Sequence, residues 1–367
     1  MRQIEVLRET GESVHAVGFG KDDLDGILKT FEQAPPGLKR RLATGTRLAA
    51  GRFGTARFAF WAAEIHRRML KEVIQARPQI VHANDWETLP IAVAAKAETG
   101  CRVLYDTHEY AVGRRMDDRL WRLLFKPYIS ALERSNIRSA DAVVTVSAGI
   151  AARLQSLYGL SETPLVIRNV SRYSKQPFRR VNVPIRVLYH GAFTPNRGLE
   201  PLILSVLRWN ADRRLILRGV GAADYIAKLR QLASQTGCAD RIEFAPPVPQ
   251  SELVTRANDA DVGIFCNIPD TVQTNYTLPN KLFEYVMAGL CVVVSPAEEM
   301  AELVRAHKLG CVLADATPDM IAEAVNALTP ETIEMYKHNA LAAARDLNWE
   351  NEQRALLELY ARLAAQK

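Results

Sequence analysis

A repeated alternation of short apolar runs with longer amphipathic segments is the feature that most constrains the fold of this chain. From residue 79 onward, apolar runs such as Val262–Phe265 and Cys291–Val294 are separated by segments with apolar residues at helical spacing. Strands that alternate with helices indicate parallel sheets joined by right-handed crossovers. The predicted fold class is therefore α/β.

The alternation falls into two blocks of similar size, joined by a segment without periodicity that contains two prolines. We predict two Rossmann-like domains with parallel sheets facing each other across a cleft, at residues 1–172 and 185–348, with a linker at 173–184. The last segment, 349–367, is predicted to be a helix that crosses back toward the first domain. In such sheets, ligands bind beyond the carboxyl ends of the strands.

The first twenty residues predict the end of a helix, a stop at Gly11 and a strand at Val14–Gly18. Domains of this class usually begin with a strand and a glycine-containing loop that precede such a helix. We therefore expect the first βα unit of the N-terminal domain to be missing.

The composition is that of a globular protein, since 48% of the 367 residues are hydrophobic and 24% are charged. No window approaches the roughly 18 uninterrupted apolar residues of a membrane span, and no signal-peptide pattern opens the sequence. The cysteines are scattered and form no C-x-x-C pair, so we predict buried thiols in a reducing cytoplasm, neither disulfides nor a zinc site. These cysteines are Cys101, Cys238, Cys266, Cys291 and Cys311.

Residues 37–78 carry ten basic side chains against two acidic ones, with Phe53, Phe58, Phe60 and Trp61 interleaved. A basic helical segment with aromatic residues can lie on an anionic membrane surface, which would place the protein at the inner face of the membrane. The same pattern also fits a solvated amphipathic face. No nucleic-acid-binding module accompanies the segment, so we expect no nucleic acid partner.

Polar residues follow several strands of the first block at the edge where a ligand is expected. Ser147 directly precedes a helix and is interpreted as a helix cap. The complete set is His82, Asn84 and Asp85, then His108 and Glu109, then Ser147, then Asn169.

The second block contains two stretches with a possible chemical role. The loop His190–Gly198 carries two glycines and Arg197 ahead of a helix, which fits either a diphosphate cradle or an ordinary turn. The stretch Asn275–Ser295 predicts a helix, capped by Thr277 or Asn275, and then a buried strand. Glu284 lies off the apolar face of that helix and by itself is interpreted as solvated.

These segments, taken in order, resemble family 4 (group 1) glycosyltransferases with the GT-B fold. The resemblance covers most of the chain and is most specific at the last of the following segments. They read V-H-A-N-D at 81–85, Y-D-T-H-E-Y at 105–110, Y-H-G-A-F-T-P-N-R-G-L-E at 189–200 and L-P-N-K-L-F-E-Y-V-M-A-G-L-C-V-V-V-S at 278–295.

The resemblance implies retaining transfer of a sugar from a nucleotide diphosphate donor to a glycan or lipid-linked acceptor in cell-surface polysaccharide or glycolipid synthesis. It implies no bound metal and no cofactor. Glu284 would hold the ribose hydroxyls, Arg197 would face the diphosphate and Gly191 would allow close approach. The loop made of Thr277, Leu278, Pro279 and Asn280 would bind the donor and offer it backbone N–H groups, which its non-proline residues supply. His108 would lie near the sugar, and Asn84 and Asp85 would border the acceptor side.

Two positions depart from the family pattern. Tyr276 stands where the family usually has a glutamate; as a donor-binding residue it can donate a hydrogen bond to a sugar hydroxyl, but it carries no charge at neutral pH. Ala192 stands where a second basic residue is often found. Together with the unusual start, these departures keep two alternatives open, a non-catalytic GT-B homologue that binds a nucleotide sugar or a partner, and a nucleotide-sugar epimerase.

Other enzyme classes lack their sequence signatures. There is no Walker A loop, no H-E-x-x-H helix and no G-x-S-x-G elbow, and Gly219–Gly221 is not a dinucleotide-binding fingerprint. Asp259 and Asp261 directly precede a strand and are interpreted as turn residues rather than metal ligands.

Overall fold

The computed structural model describes residues 2–19, 28–31, 54–269 and 271–365, with the backbone alone at 19 and 28–31. The chain forms two compact units. Unit 1 comprises Met1–Ile167, Thr271–Gln273 and Gln353–Lys367, and unit 2 comprises Arg168–Asp270 and Thr274–Glu352. The division falls after Ile167 and inside the last helix, so the predicted linker 173–184 belongs to unit 2.

The elements of unit 1 alternate along the chain as predicted for an α/β domain. In order they are α1 Arg2–Glu9, β1 Ala16–Phe19, β2 Leu28–Phe31, α2 Ala56–Trp61, α3 Glu64–Ala76, β3 Ile80–Asn84, α4 Leu89–Thr99, β4 Arg102–Thr107, α5 Lys126–Asn136, β5 Ala142–Thr145, α6 Ala148–Tyr158 and β6 Leu165–Val166. Strands β3, β4, β5 and β6 form a parallel sheet in that order, and β1 pairs in parallel with β2.

The elements of unit 2 follow the same alternation. They are β7 Ile185–His190, α7 Leu199–Ser205, β8 Arg213–Arg218, α8 Ala223–Gln235, β9 Ile242–Ala245, α9 Leu253–Ala257, β10 Val262–Phe265, α10 Val272–Tyr276, α11 Asn280–Met287, β11 Cys291–Val294, α12 Glu298–Ala306, β12 Gly310–Val312, α13 Pro318–Ala327, α14 Pro330–Ala343 and α15 Trp349–Ala365. Helix α10 begins within the short segment assigned to unit 1, and α15 passes from unit 2 into unit 1. The six strands of unit 2 are all parallel, in the order β12-β11-β10-β7-β8-β9.

Both units are Rossmann-like, and the predicted fold class is confirmed. Strands β10 and β11 have the predicted bounds, and all their residues are buried, because a parallel sheet is covered by helices on both faces. At the start of the chain, α1 ends before Gly11, whose φ of 87° is left-handed, and β1 begins two residues later than predicted. The helix cap predicted at Ser147 is also present, since its side chain accepts a hydrogen bond from the N–H of Ile150.

The sequence predicts one long helical stretch at Asp117–Arg138, whereas the structure divides this stretch into three helical segments. A π-helical turn at Trp121–Phe125 precedes α5, and a 3-10 turn follows it at Ile137–Ser139. Pro127 lies at the start of α5 and has no N–H, so a regular hydrogen bond to the carbonyl four residues earlier cannot form there. In the π-helical turn just before the proline, each backbone hydrogen bond spans five residues, one more than in an α-helix.

The structure partly corrects two predictions, one that the cysteines are buried and one about the aromatic residues of the basic segment 37–78. The five cysteines are free, but only Cys101, Cys266 and Cys291 are buried, while Cys238 and Cys311 are half-buried. In the basic segment, residues 37–53 lie outside the described residues. Phe60 is 1% exposed and belongs to the core, whereas Phe58 is 83% exposed. Within the described ranges, no helix is long and apolar enough to cross a membrane.

Asp261, interpreted from the sequence as a turn residue, is buried and ties three elements of unit 2 together. Its carboxylate accepts the N–H of Arg186 at 2.9 Å and lies 3.2 Å from the Nζ of Lys337 on α14. The Lys337 and Asp261 side chains are only 1% and 4% exposed. This buried ion pair holds α14 against the sheet.

Replacing Lys337 by methionine is expected to lower the free energy of unfolding by about 3 kcal/mol, because the carboxylate of Asp261 stays buried without its cation. Urea denaturation of the variant and the wild type measures the difference. Lys228→Met, on the exposed face of α8, is the control and should change stability by less than about 0.5 kcal/mol. Equal losses in both variants would contradict a structural role for the buried pair.

Candidate active site

The loop after β7 in unit 2 is fixed in place by backbone contacts with the neighbouring strand end. The N–H of Gly191 donates to the carbonyl of Arg218 at 2.9 Å, and the N–H of Phe193 donates to the carbonyl of Val220 at 2.7 Å. Gly191 has a φ of 130°, which side chains of L-residues rarely allow. The loop therefore depends on glycine at this position and presents an ordered backbone at the carboxyl edge of the sheet.

Helix α11 is buried on almost every side. Six consecutive residues, Leu282–Met287, are buried, so the single apolar face predicted from the sequence is too narrow. The residue at the N-cap is Pro279, and neither predicted cap fills that role. Asn275 instead accepts the N–H of Glu298 at 3.1 Å, at the start of α12.

Glu284 is the residue whose environment differs most from the sequence-based interpretation. It is 9% exposed, and its Oε2 lies 2.9 Å from the Nε2 of His190, which is 1% exposed. The two atoms are close enough for an ion pair, but their angles do not meet those of a hydrogen bond. The other ring nitrogen of His190, Nδ1, has no hydrogen-bond partner among the described residues either. A solvated Glu284 is therefore wrong, because the carboxylate is buried beside an imidazole.

Tyr285 fixes the position of His190. The two rings stack with centroids 4.7 Å apart, and the hydroxyl of Tyr285 accepts the N–H of His190 at 3.1 Å. The tyrosine ring packs so closely on β10 that a Cβ at Gly263 would lie 2.4 Å from it. Glu284 and Tyr285, which are adjacent on α11, therefore both contact His190.

The remaining residues predicted for the donor side lie around the same part of unit 2. Arg197 and Asn280 are exposed, Thr277 and Pro279 are half-buried, and Leu278 is 8% exposed. Tyr276 ends α10 and is 9% exposed, and Gly191 is half-buried. These assignments remain predictions about ligand contacts.

Two candidate residues were missed by the sequence analysis. His190 closes β7, and Lys281 extends over Gly191 from the first turn of α11. Both stand within the recognised motifs, at Y-H-G and P-N-K. Their chemistry was overlooked because only the fold brings them next to Glu284 and the glycine loop.

Unit 1 brings together a separate cluster of imidazole and carboxylate groups at the ends of β3 and β4. Asp106 is buried, and its Oδ2 lies 3.0 Å from Nε2 of His82 and accepts a hydrogen bond from the amide of Gln3 at 2.8 Å. Nδ1 of His82 lies 2.7 Å from the hydroxyl of Tyr360 on α15. Burial by itself would raise the pKa of Asp106, but the hydrogen bond and charge of His82, the charge of His108 and the hydrogen bond from Gln3 together lower it.

The predicted residues His108 and Asp85 belong to this cluster. Nδ1 of His108 lies 3.6 Å from Oδ1 of Asp85, and Nε2 lies 3.8 Å from Oδ2 of Asp106. The close contact with the Asp85 carboxylate, opposed by burial and aided by the charge of Asp106, raises the pKa of His108 to about 9. Its imidazole is therefore a cation at neutral pH. Asn84 is exposed at the end of β3, next to Asp85.

Asp85→Asn keeps the shape of the side chain and removes its charge, so the pKa of His108 is expected to fall from about 9 toward its ordinary value of 6.5. NMR titration of the His108 ring measures the shift. Because the folded-state pKa is raised, the stabilisation is complete below pH 6.5 and is lost as the pH rises through about 9. The variant should therefore be less stable than the wild type by a constant amount below pH 6.5, and the difference should shrink to nothing as the pH rises to about 9. An unchanged titration of His108 would show that Asp85 does not stabilise the protonated form of the His108 ring.

Comparison with known proteins identifies the class. Residues 1–169 match the family model described as glycosyl transferase 4-like domain, and residues 184–330 match the model for glycosyl transferases group 1. The chain thus belongs to the group 1 glycosyltransferases with the GT-B fold.

Among curated proteins, the chain is similar to a GDP-mannose-dependent alpha-(1-6)-phosphatidylinositol monomannoside mannosyltransferase of Mycobacterium tuberculosis. The two are 26% identical over 253 residues, which are 65% of this chain and 63% of that protein. It is also 25% identical over 236 residues to the putative colanic acid biosynthesis glycosyltransferase WcaL of Escherichia coli, covering 60% of this chain and 57% of WcaL. The chain therefore spans less than two thirds of the length of these relatives.

Solved structures share the fold at low sequence identity. A glycosyltransferase from Rickettsia africae superimposes with a TM-score of 0.72 at 14% identity, covering 100% of this chain and 94% of that one. The Anabaena protein HepE, solved in complex with UDP, gives a TM-score of 0.69 at 15% identity, covering 91% and 86% of the two chains. Sucrose-phosphate synthase from Thermosynechococcus elongatus gives 0.73 at 17% identity, covering 100% and 92%.

Proposed function

We propose that this protein is a retaining glycosyltransferase that moves a sugar from a nucleotide diphosphate donor to a glycan or lipid-linked acceptor. The observation that carries the proposal is the buried Glu284–His190 pair beside a glycine loop with nearby cations, in a chain of the group 1 family. The name of the mycobacterial relative specifies GDP-mannose, and HepE was solved with UDP and with UDP-glucose. These relatives support a nucleotide sugar as donor.

The donor side of the reaction is assigned to unit 2. The carboxylate of Glu284 accepts hydrogen bonds from the two ribose hydroxyls, and contact with His190 fixes its orientation. When the bond between the anomeric carbon and the diphosphate breaks, the electron pair stays on the diphosphate oxygen. Arg197 and the loop at Gly191 stabilise that growing negative charge. In this proposal, groups of the protein therefore stabilise the leaving diphosphate without a metal ion.

The sugar and acceptor side is assigned to the cluster in unit 1. His108, a cation at neutral pH, donates a hydrogen bond to a sugar hydroxyl, and Asp85 keeps it protonated. Asn84 and Asp85 border the acceptor. The acceptor hydroxyl forms the new bond to the anomeric carbon as the bond to the diphosphate breaks, and its proton passes to the leaving diphosphate oxygen.

Glu284→Ala and Arg197→Ala are each expected to weaken donor binding by about ten- to a hundred-fold, because each removes hydrogen bonds that involve a charged group. Isothermal titration with UDP-glucose and GDP-mannose measures affinity, and product formation with a panel of acceptors measures transfer. Glu323→Ala, on the exposed face of α13, is the control and should change neither. Unchanged donor binding in both site variants would show that the assigned site is wrong.

The same assays separate the two alternatives. Nucleotide-sugar binding without transfer to any acceptor would favour a non-catalytic homologue. Conversion of the donor sugar into its epimer without acceptor would favour an epimerase. Formation of a glycosidic product with the donor's anomeric configuration would support the proposed reaction.

We also propose that the protein works in the cytoplasm and docks on the inner face of an anionic membrane through the basic helices of unit 1. Phe58 is 83% exposed on α2 beside the exposed Arg57, and Arg67 and Lys71 are exposed on α3. An exposed aromatic ring flanked by cations suits the interface of an anionic bilayer. Such docking would bring a lipid-linked acceptor within reach.

Arg57→Glu combined with Phe58→Ser is expected to reduce binding to vesicles that contain phosphatidylglycerol, because it removes the apolar anchor and reverses a charge. Sedimentation with these vesicles and with pure phosphatidylcholine vesicles measures the effect. Arg305→Glu, an exposed position on α12 in unit 2, is the matched control. Equal sedimentation of the wild type and the double variant would rule out this surface.

A further inference from the structure

We propose that Lys281 is a binding residue for the diphosphate of the donor, acting as a second cation beside Arg197. This inference rests on the proposed function of unit 2 as the donor site. It adds a cationic residue that binds the charged diphosphate at a position separate from the contact between Glu284 and the ribose.

The first argument is the position of the amine. A Cβ on Gly191 would lie 2.0 Å from Cε of Lys281 and 2.6 Å from its Nζ. The lysine side chain therefore occupies the space that the glycine leaves open. Its Nζ also lies 5.5 Å from the centre of the Phe265 ring, at the end of β10. The ammonium group is held over the loop at the carboxyl ends of two neighbouring strands.

The second argument is the charge balance around this amine. Lys281 is half-buried and forms no ion pair with any residue in the described ranges. Burial lowers the pKa of Lys281, the nearby charge of Arg197 lowers it further, and Glu284 opposes both. Glu284 supplies one carboxylate for the two cations, Lys281 and Arg197, so positive charge is in excess around this amine. A bound anion would offset the cost of desolvating the amine.

The third argument is the spacing between Lys281 and Glu284. They lie three residues apart on α11, on the same side of the helix and about 4.5 Å apart along its axis. A carboxylate that accepts hydrogen bonds thus lies next to an ammonium that binds anions. A nucleoside diphosphate presents the complementary pattern, with the ribose hydroxyls adjacent to the phosphates.

The experiment uses Lys281→Met, which keeps an unbranched apolar side chain and removes the charge. Titration calorimetry of the full chain with UDP, GDP, the matching nucleosides and inorganic pyrophosphate measures each part of the ligand separately. We expect the affinity for UDP or GDP, whichever the wild type binds, and for pyrophosphate to fall by about ten- to a hundred-fold. The affinity for the nucleoside should stay unchanged.

Glu284→Gln provides the opposite pattern, since it should weaken binding of the nucleoside without weakening binding of pyrophosphate. Lys228→Met, on the exposed face of α8, is the charge-matched control and should bind every probe as the wild type does. Lys281→Gln repeats the test should the methionine variant fold poorly, and Lys281→Arg should recover part of the diphosphate affinity.

Wild-type diphosphate affinity in both Lys281→Met and Lys281→Gln would overturn the inference while leaving the donor site in place. Equal losses of nucleoside and diphosphate would also overturn it, because they would show a general structural role for Lys281. A wild-type protein that binds neither UDP nor GDP would overturn the donor site itself, and with it the role of Lys281.

Discussion

Parallel strand pairing is the constraint on which the rest of this structure depends. In a parallel sheet every strand ends at the same edge, so the residues that follow successive strands are brought together although they are far apart in sequence. In unit 2 this rule places the loop after β7 and the residues after β10 at one edge. In unit 1 it places Asp85, after β3, against His108, after β4.

Buried charge is handled differently in the core and at the candidate sites. Lys337 and Asp261 neutralise each other inside unit 2 and have a structural role. Glu284 and His190 lie at ion-pair distance without a hydrogen bond between them. The half-buried Lys281 forms no ion pair with any of the described residues. The proposed donor site rests on these incompletely paired charges, because burying a charge without a partner costs free energy that a bound ligand would offset.

The sequence was sufficient for much of the fold. Runs such as Cys291–Val294 and Val262–Phe265 have strand bounds that match the structure, since four consecutive buried residues flanked by turns leave few alternatives. The motifs were also sufficient to assign the family. The helix before Pro127 was predicted with less success, because a missing N–H changes the hydrogen-bonding pattern without changing the apolar periodicity.

By itself, the sequence determined an α/β chain of two Rossmann-like domains and pointed to Glu284, Arg197 and His108 as candidates. Only the tertiary structure decided the surroundings of Glu284. The sequence alone favoured a solvated helix residue, whereas the structure shows a buried carboxylate beside His190. It likewise decided that Lys281 occupies the space above Gly191. The physical reason is that periodicity records which face of an element is apolar, whereas burial and charge pairing depend on what the neighbouring elements place against that face.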